Sequence, residues 1–188
     1  MDYLPLFHNL KGRRIVVVGG GEIALRKVRL VQQASALITI IAKDFCPDLL
    51  EMDKADKEHE CNGLELITAG YEHHHLQKYP DTVMVIAATN DRDLNRLVSE
   101  HAQAANMLSN VVDDPGFSTV IFPSIVDRSP IQIAISSDGD APVLVRLLRP
   151  KFEALLPAGL SKRGSRAGQF RDAVQARCSM GADRKACW

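Results

Sequence analysis

The sequence predicts an α/β fold, with a doubly wound parallel sheet in the N-terminal part and a smaller β segment and helical part after it. Two observations lead to this prediction. Residues 14–18 and 37–42 are short, continuously apolar runs, which is typical of strands buried on both faces of a parallel sheet. Residues 22–33 lie between them and carry apolar side chains at helical spacing. A strand, a helix and a second strand form a right-handed crossover, so the two strands should be parallel.

The alternation of strands and helices continues to residue 113. Residues 54–62 are polar and indicate a loop or a ragged helix end. Further strands are predicted at 64–68, 82–89 and 107–113. Residues 90–106 predict an amphipathic helix, with Asn90 or Asp91 as its N-cap.

The pattern changes after Pro115. Residues 117–128 and 130–139 are typical of two strands with a tight connection, which predicts an antiparallel pair. Residues 142–156 predict a helix with a proline in its first turn. We therefore expect three regions: an α/β domain at 1–113, a small β segment at 114–143 and a basic helical region at 144–188.

The composition argues against several classes of protein. The chain has 188 residues and a formal net charge of zero, which gives no indication of nucleic-acid or membrane binding. Its four cysteines are scattered without a Cys-x-x-Cys pair, so neither a disulfide framework nor a structural zinc site is expected. The N-terminus lacks the pattern of a signal peptide, and no apolar run approaches the roughly 18 residues of a membrane span. These features predict a cytoplasmic protein.

The charges are unevenly distributed along the chain. Residues 144–188 contain ten Lys or Arg and three Asp or Glu, a net charge of +7, whereas residues 1–143 contain thirteen and twenty, a net charge of −7. The basic C-terminal region is either an anion-binding surface or a solvated helical face.

The most informative motif is the glycine turn between the first strand and the first helix. Its spacing, Gly19-x-Gly21-x-x-Ala24, matches the dinucleotide-binding fingerprint of a Rossmann-like fold. In that fingerprint Gly19 permits the tight turn, Gly21 lets a pyrophosphate approach the backbone, and Ala24 permits close packing of helix and strand. The alternative is a glycine bend with a purely structural role.

Ligands of such folds bind beyond the carboxyl ends of the strands. Lys43 and Asp44 follow the second strand; an acid there often binds the ribose hydroxyls, and the lysine leaves the choice between NAD and NADP open. Thr89 lies at the end of the fourth strand and is predicted to contact the cofactor. Asp113 lies at the end of the fifth strand, where its carboxylate is either a general base or a cap for the turn before Pro115.

Several motifs together resemble one family. The segments "MDYLPLF", "VVVGGGEIALRK", "IAATND", "NVVDDP" and "FPSIVDRSPIQIAISSDGDAPVLVRLLR" are similar to the N-terminal module of siroheme synthase, the precorrin-2 dehydrogenase and sirohydrochlorin ferrochelatase. The resemblance implies NAD-dependent oxidation of precorrin-2 to sirohydrochlorin, followed by insertion of iron(II) to give siroheme. It also implies a homodimer in which 114–143 is shared between subunits. In the multifunctional enzymes of this family a methyltransferase domain follows, which this sequence does not contain.

The resemblance also assigns roles to individual residues. Asp113 is the implied base of both reactions, and iron(II) is a substrate without a dedicated protein cage, so we assign no metal ligand. The implied cofactor-binding residues are Gly19, Gly21, Glu22, Ile23, Lys43 and Asp44.

The tetrapyrrole substrate carries many carboxylates, so Arg146 and Arg149 are predicted to bind it, together with Ser137. The turn "SSDGDAP" departs from the family's glycine-rich form, because Asp138 and Asp140 add negative charge there. Ser137 is a candidate phosphorylation site, since a phosphate would add about 1.5 to 2 negative charges and repel the substrate. Normal iron insertion by a Ser137→Asp variant would contradict that role.

Residues 71–77, "YEHHHLQ", invite a metal interpretation, but three consecutive histidines do not converge on one ion, and a solvated loop is expected. The alternative functions are a dehydrogenase without chelatase activity, and a non-catalytic NAD(H)-binding dimer that acts as a sensor or scaffold.

Overall fold

The computed structural model describes residues 2–59 and 63–156. The chain divides into two compact units, Met1–Ile121 and Phe122–Trp188. Most of the basic region, residues 157–188, lies outside the described residues.

The first unit is built on a five-stranded sheet in which every neighbouring pair is parallel. The strands lie in the order β3-β2-β1-β4-β5. Their bounds are β1 (Arg14–Val18), β2 (Leu37–Ala42), β3 (Leu64–Thr68), β4 (Thr82–Ala87) and β5 (Leu108–Val111). The predicted bounds of the first three strands are confirmed, whereas the last two strands each end two residues earlier than predicted.

Helices connect these strands. The bounds are α1 (Glu22–Gln32), α2 (Pro47–Glu58), α3 (His74–Lys78) and α4 (Arg92–Ala104), followed by a 3₁₀ turn (Pro115–Phe117). The predicted cap of α4 is confirmed as Asp91, whose Oδ1 accepts a hydrogen bond from the backbone N–H of Leu94 at 3.0 Å. This cap begins α4 directly behind the loop that follows β4.

The core explains why the strands read as apolar runs. Ile15, Val16 and Val17 have no exposed surface, and Ile40 and Ile41 on the neighbouring strand are equally buried. Strands covered on both faces need apolar residues at every position rather than at alternate ones. The sheet edge at the carboxyl ends of these strands is therefore held by a tightly packed interior.

Two helices differ from the sequence prediction. Helix α2 spans Pro47–Glu58, so residues 54–58 are its end, which was one of the two alternatives expected for this stretch, whereas its start at Pro47 was not predicted. The expected solvated loop at 71–77 is wrong in part, because α3 begins at His74 and the side chain of His75 is buried. Its Nδ1 accepts a hydrogen bond of 3.0 Å from the backbone N–H of Glu72, which makes burial of this polar ring tolerable.

The second unit contains an antiparallel pair and one helix. Strands β6 (Ser124–Arg128) and β7 (Ile131–Ile135) pair antiparallel, as predicted, and α5 (Pro142–Leu155) follows. The Arg128 guanidinium ties them together, since it donates to the carboxylate of Glu153 at 3.0 Å and to the carbonyl of Leu156 at 3.1 Å. The predicted fold class, a Rossmann-like doubly wound sheet followed by a small β segment and a helix, is confirmed.

None of the helices in residues 2–59 and 63–156 combines the length and the apolar character that crossing a membrane requires.

Candidate functional site

An open cavity of about 750 Å³ lies at the carboxyl edge of the sheet in the first unit. Its walls come from the segments that follow β1, β2, β3 and β4 and from the first turns of α1 and α4. Seven residues predicted to bind a cofactor line it: Gly19, Gly21, Glu22, Ile23, Lys43, Asp44 and Thr89.

Gly19 brings the end of β4 against the glycine turn. Its φ is 123°, a conformation that residues with a Cβ rarely adopt. A Cβ built there would lie 2.7 Å from the carbonyl carbon of Ala88, and still closer to the carbonyl oxygen. The absence of a side chain at Gly19 therefore lets two backbones touch, which is what the fingerprint expects of its first glycine.

Gly20 does the same for the segment after β2. A Cβ at Gly20 would lie 2.9 Å from the Cβ of Ala42 and 3.1 Å from the carbonyl carbon of Asp44. The Gly20 carbonyl accepts a hydrogen bond of 2.8 Å from the backbone N–H of Cys46. This close approach fixes Lys43 and Asp44 beside the turn. The sequence fingerprint leaves position 20 unrestricted, so this requirement was not predicted.

Gly21 is different, because its missing side chain leaves space open. Among the described residues, no atom lies within 4 Å of a Cβ built at this position. Gly21 is the N-cap of α1 with an extended backbone, and no described side chain caps this helix start. The first backbone N–H groups of α1 are thus available, together with the positive end of the helix dipole. This arrangement fits the pyrophosphate of a dinucleotide.

The loop after β3 forms a wall that sequence reasoning missed. Ala69, Gly70 and Tyr71 line the cavity, and a Cβ at Gly70 would lie 3.6 Å from the Cε of Lys43. The Tyr71 hydroxyl lies 3.1 Å from Nδ1 of His101. Burial raises the pKa of Tyr71 to about 12, so the phenol stays neutral at physiological pH. The sequence did contain a signal for this wall, because Gly70 directly precedes the aromatic Tyr71 near the end of a predicted strand.

The loop after β4 is held from behind by Asn95 of α4. The Asn95 side chain is buried and hydrogen-bonds Thr89, a predicted cofactor contact. Sequence reasoning placed Thr89 at the cavity and missed Asn95, because an asparagine inside a helix carries no signal of a buried role.

Asp113 lies beyond β5, at the carboxyl end of the sheet but outside the four strand exits that form the cavity walls. It is exposed, and its φ of 58° is a left-handed conformation that aspartate tolerates better than most residues. Its loop is anchored at both ends: Val112 N–H donates to the Ala87 carbonyl at 3.0 Å, and the Ser118 hydroxyl accepts from Val111 N–H at 2.9 Å.

Lys27 of α1 and Asp113 carry opposite charges that interact. Burial lowers the pKa of the Lys27 ammonium below its ordinary value, and the negative charge of Asp113 opposes that shift. The carboxylate and the ammonium are therefore close enough for their charges to interact.

The predicted substrate residues all lie in the second unit. Ser137 organises the turn before α5, since its hydroxyl accepts a hydrogen bond of 3.1 Å from the backbone N–H of Ala141. Arg149 donates to the Ile125 carbonyl at 3.2 Å and lies 3.9 Å from the carboxylate of Glu153. Arg146 is exposed. The two arginines thus differ, because Arg149 is already engaged within the unit.

Comparison with known proteins shows the family to which the chain belongs. The family described as "Putative NAD(P)-binding" matches residues 6–124, more than half of the chain. The chain belongs to this NAD(P)-binding family. A second family, described as "Sirohaem biosynthesis protein central", matches residues 128–155 of the chain.

Two curated relatives are similar along nearly the whole chain. The siroheme synthase of Stutzerimonas stutzeri (strain A1501) is 46% identical over 188 residues, which cover 100% of this chain and 38% of that protein. The siroheme synthase of Pseudomonas entomophila (strain L48) is 48% identical over 176 residues, which cover 94% of this chain and 36% of that protein. The chain thus spans little more than a third of these relatives. The resemblance to the N-terminal module of siroheme synthase is confirmed.

A solved structure shares the fold. The protein titled "SirC, precorrin-2 dehydrogenase" aligns with a TM-score of 0.74 at 22% sequence identity, over 98% of this chain and 86% of that one.

Gly20 and Gly21 predict separable outcomes on substitution. Gly21→Ala should leave the free energy of unfolding nearly unchanged, because its Cβ meets open space, but should weaken NAD(H) binding at least tenfold by occupying the approach of the pyrophosphate. Gly20→Ala should destabilise the fold, because its Cβ meets the backbone of Asp44. Urea unfolding and titration with NADH measure both quantities. Tight NADH binding by Gly21→Ala would contradict the pyrophosphate position.

Proposed function

We propose that this chain oxidises precorrin-2 to sirohydrochlorin with NAD as hydride acceptor, and then inserts iron(II) into sirohydrochlorin to give siroheme. The observation that carries the proposal is the cavity at the glycine turn, whose open side at Gly21 suits a dinucleotide and whose sheet edge also carries Asp113. The similarity to siroheme synthases supports the choice of substrate.

The cofactor site follows from the geometry of the turn. Bound NAD supplies an electrophilic nicotinamide that accepts a hydride from the tetrapyrrole. The chain's own part is to bind the phosphates at the start of α1, near Glu22 and Ile23, and the ribose beside Lys43 and Asp44. Because Gly19 and Gly20 lock the neighbouring segments to this turn, the binding surface is formed before the cofactor arrives.

Asp113 is the proposed base of both reactions. Dehydrogenation of precorrin-2 removes a hydride and a proton, and iron insertion displaces two pyrrole N–H protons. A carboxylate accepts such protons if it is held near them. The anchored loop on both sides of Asp113 holds its carboxylate on a defined backbone rather than on a freely moving segment.

Asp138 and Asp140 are exposed in the turn before α5, where they add negative charge to a region proposed to meet a polycarboxylate. Because precorrin-2 and sirohydrochlorin are both polycarboxylates, this charge opposes substrate binding in either reaction and so favours a non-catalytic protein. A dehydrogenase without chelatase activity is a second alternative. The structurally similar SirC is itself named for the dehydrogenase reaction only. Retention of Asp113 argues against the non-catalytic alternative, an NAD(H)-binding dimer.

The decisive experiment supplies the purified chain with NAD⁺ and precorrin-2 without oxygen and records absorption spectra, then adds iron(II). We expect sirohydrochlorin and NADH to form together, followed by siroheme. If sirohydrochlorin forms but siroheme forms no faster than in a protein-free control, the chain is a dehydrogenase without chelatase activity. NADH binding with no turnover would select the non-catalytic dimer.

Within this experiment, Asp113→Asn isolates the carboxylate. Asparagine adopts the left-handed backbone as readily as aspartate, so the loop should keep its shape while the proton acceptor is lost. We expect both rates to fall by about 100-fold or more. Asp114→Asn is the matched control, since it removes an adjacent carboxylate and should leave the rates within about threefold. Full activity of Asp113→Asn would remove the assignment.

Arg146 offers the cleaner test of substrate binding. We propose that Arg146 and Arg149 bind the carboxylates of the tetrapyrrole and that Ser137 contacts the same substrate. Arg146→Glu should raise the KM for precorrin-2 about tenfold through charge repulsion and leave the KM for NAD⁺ unchanged. Arg149→Glu should also destabilise the unit, because its guanidinium bonds Ile125. Lys54→Glu on α2 is the charge-matched control. An unchanged KM for precorrin-2 in Arg146→Glu would refute this role.

A homodimer is proposed for the second unit. Helix α5 has no buried residue, and four of its apolar side chains are exposed to solvent. Val143 is 65% exposed, Leu144 54%, Leu147 62% and Leu155 74%. Apolar surface of this kind is commonly covered by a partner, here a second copy of the chain. Light scattering should give a molar mass twice that of the chain. The double variant Leu144→Glu and Leu147→Glu should have the mass of a single chain, whereas the control variant Leu50→Glu on α2 should keep the mass of the dimer. A monomeric unaltered chain would exclude the dimer.

A further inference from the structure

The side chain of Asn95 forms the back of the loop that follows β4. It projects from the first turn of α4 and is only 6% exposed. The loop in front of it, residues 88–91, lines the cavity. A buried amide is costly unless its donor and its acceptor are both satisfied, so its bonding partners show what it is there to hold.

Within residues 2–59 and 63–156, the hydrogen-bond partners of the Asn95 side chain all belong to Thr89. Asn95 Oδ1 accepts from the Thr89 backbone N–H at 3.1 Å and from the Thr89 hydroxyl at 2.7 Å. Asn95 Nδ2 donates to the Thr89 carbonyl at 2.9 Å. One amide therefore satisfies the backbone donor, the backbone acceptor and the hydroxyl of a single residue.

This arrangement leaves Thr89 with no donor for a ligand. A hydroxyl has one proton, and the Thr89 hydroxyl already has two acceptors for it, Asn95 Oδ1 at 2.7 Å and the Asp91 carbonyl at 3.1 Å. The Thr89 oxygen in turn accepts from the backbone N–H of Asp91 at 3.1 Å. Thr89 thus contributes a fixed shape to the cavity wall, and its hydrogen-bonding groups are used to build the loop.

We propose that Asn95 is a positioning residue for dinucleotide binding, which clamps Thr89 so that residues 88–91 form a preset wall of the cavity. The inference rests on the proposed function, since it requires that the cavity binds NAD(H). The role needs an amide: a carboxylate lacks the donor for the Thr89 carbonyl, and an apolar side chain of equal size lacks donor and acceptor alike. A preset loop saves the ordering cost that a mobile loop incurs on binding.

Two substitutions of similar volume separate this role from simple helix stabilisation. Asn95→Asp places a carboxylate oxygen against the Thr89 carbonyl. Asn95→Leu removes the bonds that Asn95 makes to the backbone N–H and carbonyl of Thr89, whereas the Thr89 hydroxyl keeps its bonds to Asp91. Both should weaken NADH binding by about tenfold or more, because unpaired buried groups relax by moving the loop. At saturating NAD⁺ the kcat should stay within about threefold, which gives a KM effect without a kcat effect.

The pH dependence of Asn95→Asp supplies a sharper readout. A protonated aspartic acid has one donor and one acceptor oxygen, as asparagine has, so it can restore the clamp. NAD⁺ affinity measured by calorimetry should therefore recover in Asn95→Asp as pH falls from 8 to 5, relative to the unaltered chain. Asn95→Leu should show no such recovery. A loss of affinity caused only by a less stable helix would not reverse on acidification.

Asp56→Ala is the matched structural control. The Asp56 carboxylate holds a loop through the backbone N–H groups of Gly63 and Leu64, at 3.0 and 3.1 Å, at the amino end of β3 and so at the opposite edge of the sheet from the cavity. Its removal should lower the melting temperature and leave the Kd for NADH unchanged.

The outcomes are distinguishable. If both Asn95 variants bind NADH as tightly as the unaltered chain, the inference fails and the proposed function stands. If the unaltered chain binds no NADH at all, the proposed function fails and the inference fails with it. Equal weakening by Asp56→Ala would also overturn the inference, because loss of stability alone would then account for the effect.

Discussion

The site depends on a direct contact between backbones at the glycine turn. Gly19 N–H donates to the Ile41 carbonyl at 2.9 Å, Cys46 N–H donates to the Gly20 carbonyl at 2.8 Å, and Ala88 N–H donates to the Val18 carbonyl at 2.8 Å. These bonds hold the exits of β2 and β4 against the exit of β1, at distances that no side chain on Gly19 or Gly20 would permit. The cavity walls are consequently set by main-chain geometry, and the side chains that line it inherit their positions from it.

The three adjacent glycines satisfy three different constraints. Gly19 needs a positive φ and a close neighbour, Gly20 needs only a close neighbour, and Gly21 needs neither. An extended backbone with open space beside it would accept an alanine as far as folding is concerned. A glycine there is explained by something that must approach from the cavity, which is the strongest internal argument for a phosphate-bearing ligand. The fingerprint spacing anticipates Gly19 and Gly21, but the neighbour that requires Gly20 lies 24 positions later, at Asp44, where spacing gives no information.

The sequence patterns predicted some strands, helices and site residues and missed others, for physical reasons. Apolar runs located β1 and β2 correctly, because in each the run and the ladder pairing end at the same residue, Val18 and Ala42, and the shorter pattern at 64–68 located β3. In β4 and β5 the strand-like sequence continues for two residues after pairing ends, and those residues form loops at the sheet edge. Helix α2 buries only Leu49 and Asp53, so its periodicity is too weak to predict a full helix. Tyr71 and Asn95 were missed because their importance comes from partners distant in sequence or from burial, and neither leaves a local pattern.

The two interpretations of Asp113 that the sequence left open can be weighed through its loop. The 3₁₀ turn that follows begins after Asp114, and within the described residues no side chain caps it. The Ser118 hydroxyl instead closes the loop, since it accepts from Val111 N–H at 2.9 Å and donates to the Asp114 carbonyl at 3.0 Å. The shape of the loop therefore does not depend on the Asp113 carboxylate as a turn cap. A left-handed residue on an anchored loop, exposed and close enough to interact with the charge of Lys27, keeps its carboxylate for an interaction outside the turn. A general base needs a carboxylate that its own turn does not use, whatever the substrate.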